Sequence, residues 1–352
     1  GLNPARRLFV QRSADAGATW GTERLLDIGT DVVSADGENR PKIAFGPSGQ
    51  AVITYTQPLS RPYTGEIRML RSTDGGQSFS APFTVHRDRQ LITHRFESVA
   101  FDAQGVLHTV WIDKRDQVLL KGAPPAYRGA AIYRNESRDG GQTFGPDLKV
   151  ADHSCECCRI ALAPAPGGGM AALWRHVFAP NERDHAYAAW GANTQAAGAK
   201  AAGTPGRPVR ATWDRWALDA CPHHGPGLAP AATGGNHAVW FGVRGGVPAV
   251  RYGRLDDQGA PAGDVQVLPD GAAEHADIAS AGPHVAIVWR SFDGEATRLR
   301  AWMSIDEGRT FQLRELDRSP DDNDHPRLVQ RAGDLFVVWR TLEEVRVHRV
   351  LP

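Results

Sequence analysis

The stretch 72-STDGGQSF-79 places a serine, an aspartate, two glycines and a closing aromatic within eight residues. That composition suits a tight turn. The aspartate accepts several backbone N–H bonds, and glycine supplies a left-handed conformation closed to most side chains. The pattern Ser-x-Asp-x-Gly-x-Thr/Ser-aromatic recurs at 13-SADAGATW-20, 137-SRDGGQTF-144 and 304-SIDEGRTF-311. The steps from Asp15 to Asp74, Asp139 and Asp306 are 59, 65 and 167 residues. The last is close to three shorter steps, which predicts two decayed copies. One remnant is 255-LDDQG-259; the other place is taken by the Gly/Ala-rich stretch 191–206. A turn repeated at such a period marks a repeated hairpin unit. Turn chemistry accounts for all four aspartates, so they read as hairpin caps rather than catalytic groups.

A second unit recurs between the caps. An apolar strand ends in tryptophan at 107-LHTVWID-113, 171-AALWRH-176, 237-HAVWFG-242, 285-VAIVWRS-291 and 335-LFVVWRT-341, and 51-AVITYTQ-57 repeats it with Tyr55 in that place. Six such units of short strands describe radial blades of antiparallel sheet. The tryptophans read as core between blades, because their spacing follows strand ends.

With both units in hand, the chain resembles the sialidase-like (BNR/Asp-box repeat) six-bladed β-propellers, and the four Ser-x-Asp segments are that family's Asp boxes. The resemblance implies an all-β fold with 1–352 as one propeller domain. It also implies Asp boxes joining the third and fourth strands of a blade, on the face opposite the active site. The chain begins mid-blade at 7-RLFVQRSADAGATW-20 and ends after 335-LFVVWRTLEEVRVHRV-350. N-terminal strands are therefore expected to complete the last blade and remove its open edge. Segments 7–12 and 345–350 both suit its third strand.

The 352 residues carry 40 basic and 40 acidic side chains. Zero formal charge gives no general attraction to nucleic acid or anionic lipid. No apolar run approaches a membrane span. The start carries no signal peptide and reads as the edge of a trimmed or a mature chain, and the expected location is the periplasm or outside the cell. The stretch 181–208 reads as a small-residue insertion.

If the Asp boxes mark one face, the loops entering each blade's innermost strand open on the other, around the axis. Aligned on that strand, the loops 39-NRPKIAF-45, 94-HRFESVAF-101, 155-CECCRIAL-162, 221-CPHHGPGL-228, 274-EHADIAS-280 and 324-DHPRLVQ-330 bring Arg40, Phe96, Cys157, His223, His275 and His325 to one level. Cys158 and His224 follow by one residue, and His94 and Cys155 lie just upstream. Thiolates and imidazoles together suit copper, with zinc as the alternative, far better than calcium or magnesium. The metal set read from the sequence is Cys157, Cys158, His223, His224, His275, His325 and His94, with Cys155 and Cys221 as either ligands or a disulfide staple. Two plain disulfides are the competing reading of four cysteines in an oxidising compartment.

The family resemblance implies an arginine triad, a Tyr/Glu nucleophilic pair and an acidic residue. Here the only Arg-Ile pair is Arg159-Ile160 inside the cysteine cluster, and no tyrosine follows Tyr252. Sialic acid hydrolysis is disfavoured on that ground. Arg40, Arg95, Arg159 and Arg327 remain candidates for anion binding, and Asp113 and Asp116 for an acid. Two functions follow. One is copper handling or copper redox chemistry at an axial Cys/His site. The other is a sialidase-type hydrolase or sugar-binding propeller with a small-molecule or glycan ligand and structural cysteines.

Overall fold

A computed structural model describes residues 6–119, 129–165, 168–191 and 208–351. Apart from the five-residue helix α1 (Arg115–Leu119), its regular elements are β-strands. After a separate pair, β1 (Phe9–Val10) and β2 (Arg24–Leu25), the chain runs in successive antiparallel meanders. The first holds β3 (Lys42–Phe45), β4 (Ala51–Pro58), β5 (Gly65–Ser72) and β6 (Phe83–Thr84). Next come β7 (His94–Phe101), β8 (Leu107–Asp113), β9 (Ala130–Ser137) and β10 (Leu148–Ser154), then β11 (Ala161–Pro164), β12 (Met170–Phe178), β13 (Glu182–Trp190) and β14 (Val209–Arg210). A bridge between Ser154 and His176 joins these two meanders into one sheet. The fourth has β15 (Gly227–Pro230), β16 (Asn236–Arg244), β17 (Val247–Leu255) and β18 (Pro261–Val267). The fifth has β19 (Glu274–Ala281), β20 (His284–Phe292), β21 (Thr297–Ser304) and β22 (Gln312–Ser319). The last has β23 (Arg327–Arg331), β24 (Asp334–Arg340) and β25 (Val345–Leu351).

The first strands of successive meanders lie side by side, β3 on β7, β7 on β11, β11 on β15, β15 on β19 and β19 on β23. The tryptophan strands are the second strands β8, β12, β16, β20 and β24, with β4 carrying Tyr55 in the same place. Both faces of β4, β8, β12, β16 and β20 are buried, so their apolar runs are continuous, whereas β24 in the last meander alternates buried and partly exposed residues. Trp111, Trp174, Trp289 and Trp339 are fully buried. Most of the ring N–H groups reach an acceptor: Trp111 donates to Asp113, Trp240 to Asp214, Trp289 to Asp270 and Trp339 to the Asp324 carbonyl. Trp174 Nε1 has no partner.

The four Ser-x-Asp segments fold into one turn. In the second, Asp74 Oδ1 accepts from Gln77 N and Ser78 N at 2.9 Å each, and Ser72 Oγ accepts from Gly76 N at 2.8 Å. Asp15, Asp139 and Asp306 repeat the scheme. The Thr310 hydroxyl and backbone amide hold the Asp306 carboxyl down at about 2. The residue after each aspartate is left-handed, and there Ala16 and Glu307 substitute for the glycine of the other copies. The next position is glycine and left-handed in all four; space is short as well at Gly17 and Gly308, where a Cβ on Gly308 would stand 1.9 Å from Tyr252 Oη, but not at Gly76. Three of the turns join β5 to β6, β9 to β10 and β21 to β22, and 255–259 joins β17 to β18 at the equivalent place. The stretch 192–207 lies outside the described residues.

The expected strand exchange at the termini takes a different form. β25 pairs with β24 over 345–351 and so holds the third-strand place. β1 and β2 pair only with each other, and among the described residues no ladder joins them to β25. The contact is made by side chains. Trp20 Nε1 donates to the Val345 carbonyl, Gly17 packs on Val347, and Leu8, Leu26 and Ile28 pack with Ile53, Tyr55 and Leu70. The backbone between β1 and β2, over 13–19, is folded into the Asp15 turn and uses its amides there, so side chains rather than a ladder meet β25.

Candidate functional site

The loops that enter the first strands meet around one buried ion pair. Glu38 and Arg159 are 2.8 Å apart, with side chains 0% and 6% exposed. Glu38 Oε2 also accepts from Arg159 N at 3.0 Å and Gly225 N at 2.6 Å. Arg159 donates further to the carbonyls of Pro226 and Ala276. The pair thus ties the loops before β3, β11 and β15 to the start of β19. Burial works against the Glu38 charge, but the Arg159 guanidinium and the donated hydrogen bonds hold its carboxyl well below the usual range. Gly225 has to be glycine, since a Cβ there would meet Arg159 Cγ at 2.3 Å.

Phe96, His223 and His275, three of the residues aligned from the sequence, share an unusual left-handed backbone at φ 55°, 55° and 51°. The donors around them separate into two groups. The sulfurs of Cys155, Cys157 and Cys158 lie within 4.8 Å of one another, at 3.6 Å for Cys155–Cys157 and 3.9 Å for Cys157–Cys158. They are buried and unbonded. Cys221, exposed, comes within interaction range of Cys155 and Cys157, so all four cysteines of the chain converge from two loops. Its own neighbouring thiols and the Arg175 charge pull Cys155 well below the ordinary thiol range, while those neighbours push Cys157 up.

The imidazoles form the second group. Phe241, His224, His275 and His325 stack in that order at 4.4, 4.6 and 3.5 Å between centroids. Glu38 lies beside His275 and His325, with ligand atoms within 4.8 Å. Among the described residues, Nδ1 of His224 and His325 has no hydrogen-bond partner, and Nδ1 of His275 faces Glu38 Oε1 at 3.6 Å. Burial, with His275 and nearby arginines adding, pushes His325 down to about 2; burial and His275 take His224 to about 4.

Several sequence assignments fall elsewhere. His94 stacks on His86 at 4.0 Å, with Nδ1 on the Gly65 carbonyl and Nε2 on Asp88, so both ring nitrogens are committed to the protein. His223 is exposed and lines a cleft instead of joining the stack. The arginines proposed for anion binding are already paired: Arg40 with Asp324, Arg95 with Asp36, Arg159 with Glu38 and Arg327 with Asp277. Asp113 is buried against Trp111 and Arg115, and Asp116 accepts from Tyr133. Sequence reasoning missed Glu38, which has no counterpart in the other five loops to align with. It also passed over Arg175 as a partner of the thiols, because Arg290 and Arg340 follow the same tryptophan in other units.

The cleft has a volume of 910 Å³ and is bordered by Arg61, Tyr63, Phe96, Cys157, Cys221 and His223. Tyr63 stands at its rim, 77% exposed, on the loop between β4 and β5. It is held at φ 62° while its carbonyl accepts from Thr93 Oγ1 at 2.7 Å. Arg61, unlike the arginines above, has no carboxylate partner among the described residues.

Solved structures with this arrangement are β-propellers. A Hadza microbial sialidase matches at TM-score 0.55 and 12% identity, over 88% of this chain; the chain spans 65% of that protein's length. An ulvan lyase of polysaccharide lyase family PL25 matches at 0.55 and 13%, over 95% of this chain and 84% of its own. The α-L-arabinofuranosidase of Fusarium graminearum matches at 0.56 and 12%, over 91% and 96%. The chain therefore has a sialidase-like propeller fold, shared with GH93 and arabinanase enzymes. No protein-family model matches the sequence, and no curated protein matches it.

Proposed function

We propose that the chain is a single six-bladed propeller, with Asp-box caps on one face, that binds a carbohydrate chain in the cleft on the other. The carrying observation is Tyr63: an exposed aromatic fixed in a left-handed conformation beside an unpaired Arg61. Strain of this kind collects at binding sites, and an aromatic face with adjacent cations is a stacking platform for a sugar. The sugar-directed names of the structural neighbours agree with this reading. Sialidase chemistry itself is not proposed, because the axial arginines are spent on internal carboxylates. Titration with neutral and uronate-bearing oligosaccharides tests the reading. Tyr63→Ala is expected to weaken binding at least tenfold with the fold intact, and equal binding by wild type and variant would remove the cleft from the proposal.

A second reading is favoured by the buried thiols: the chain holds a metal, copper with zinc as the alternative, for handling or redox chemistry. It also suits a chain that works in the periplasm or outside the cell. Thiols spaced at 3.6 and 3.9 Å would be open to oxidation there unless an ion occupied them.

A further inference from the structure

We infer that the metal site is an all-sulfur copper(I) site made by Cys155, Cys157 and Cys158, with Cys221 at its mouth, and that the imidazoles are not its ligands. The inference rests on the metal-binding reading above and is independent of the carbohydrate reading.

Spacing is the first argument. An ion about 2.3 Å from each of three or four thiolate sulfurs sets those sulfurs about 3.8–4.0 Å apart. The observed 3.6 and 3.9 Å fall close to that spacing. A disulfide needs about 2.05 Å. The three thiols come from one short loop whose backbone is anchored by Cys155 N donating to the Arg175 carbonyl at 3.0 Å. They are built into the core with Trp174, Ile160 and Phe96 rather than hung on the surface.

The surroundings are arranged for negative charge. Among the described residues, Trp174 Nε1, Arg175 Nε and His185 Nε2 are buried without a partner. Trp174 packs in the same cluster as the cysteines, and Arg175 and His185 both interact electrostatically with Cys155. None of the three nitrogens hydrogen-bonds a sulfur, so their part is electrostatic: the Arg175 charge acting on Cys155 offsets the net negative charge that several thiolates leave on a singly charged ion.

The choice of ion follows from donor type and number. Soft sulfur ligands select copper(I), zinc or iron–sulfur clusters. Structural zinc is almost always four-coordinate, and the fourth sulfur here, Cys221, is exposed and outside the group lying within 4.8 Å. Copper(I) accepts three sulfurs. The imidazoles offer no spare negative charge. Glu38 beside them is neutralised by Arg159, and the other nearby carboxylates Glu274 and Asp277 are paired with Arg290 and Arg327. A cation there would find no unpaired carboxylate among the described residues, whereas the thiols can supply their own charge as thiolates.

Cys157 and Cys221 both line the 910 Å³ cleft, which gives the ion a route in.

The test is titration of the reduced full-length chain with copper(I) held by a chromophoric chelator. The expected result is one copper(I) withdrawn per chain by wild type and by His275→Ala and His325→Ala, and none by the Cys157→Ser/Cys158→Ser double variant. X-ray absorption of the wild-type complex, which needs no variant, is expected to show sulfur neighbours only. Four outcomes overturn the inference: nitrogen in the first shell; loss of copper in the histidine variants with retention in the cysteine variant; full displacement of copper by equimolar zinc; or two disulfides in the protein purified without reductant. Failure of wild type to bind either copper or zinc would instead sink the metal reading as a whole. Oligosaccharide binding by the His275→Ala and His325→Ala variants, whose side chains do not border the cleft, is expected to be unchanged.

Discussion

Replacing Glu38 by glutamine keeps the side-chain shape and removes one charge from the centre of the fold. The carboxylate receives three hydrogen bonds, at 2.6, 2.8 and 3.0 Å, and its ion-pair partner Arg159 is 6% exposed. The variant strands a buried guanidinium, which costs about 3–5 kcal/mol. An amide hydrogen facing one of the donors leaves at least one buried N–H unsatisfied, a further cost of about 1–3 kcal/mol. A loss of at least about 3 kcal/mol is therefore expected. It would appear in urea unfolding as a lower midpoint at unchanged slope. The companion Glu38→Met/Arg159→Met removes both charges and is expected to cost less than the single variant, because no charge is left unpaired. The pH dependence has a definite sign. The folded carboxyl lies below its ordinary value of 4.5, so its contribution is present above that pH and is lost as the pH falls toward the folded value. Glu38→Gln within about 1 kcal/mol of wild type, or a double variant costlier than the single, would refute the idea that this pair holds the loops together.

Two other outcomes test the remaining physics. Gly308→Ala puts a methyl 1.9 Å from Tyr252 Oη at φ 75°, and is expected to cost more than about 1 kcal/mol in thermal or urea unfolding. The imidazoles of buried His237 and half-buried His176 and His224 are held at about 4, each by burial first, against an ordinary 6.5. The unfolded chain binds protons there and the folded chain does not, so stability should fall from pH 6.5 toward 4. The slope should approach about 1.4 kcal/mol per pH unit for each group. A flat unfolding midpoint across that window would show that these rings charge freely in the folded state.

Much of the fold was legible because its repeats are local. A Ser-x-Asp-x-Gly turn closes its hydrogen bonds within five residues, so spacing alone announces it, and the remnant at 255–259 was found by the same rule. The tryptophan strands were legible because burial on both faces makes an apolar run. The terminal seam was not. Both 7–12 and 345–350 suit a strand, and which of them pairs with 334–340 is a choice between distant partners that no local pattern encodes.

For the site, the sequence determined which loops converge and which donors they carry, since each loop sits at a fixed distance from its own strand. Tertiary structure alone decided how those donors divide: three thiols and Cys221 in one group, three stacked imidazoles in another, and His94 withdrawn to His86 and Asp88. It also decided that the arginines face internal carboxylates, with Glu38 at the centre. The reason is physical. Membership of a loop places a backbone to within a few ångströms, whereas ligation and ion pairing depend on side-chain direction and on charges from other blades.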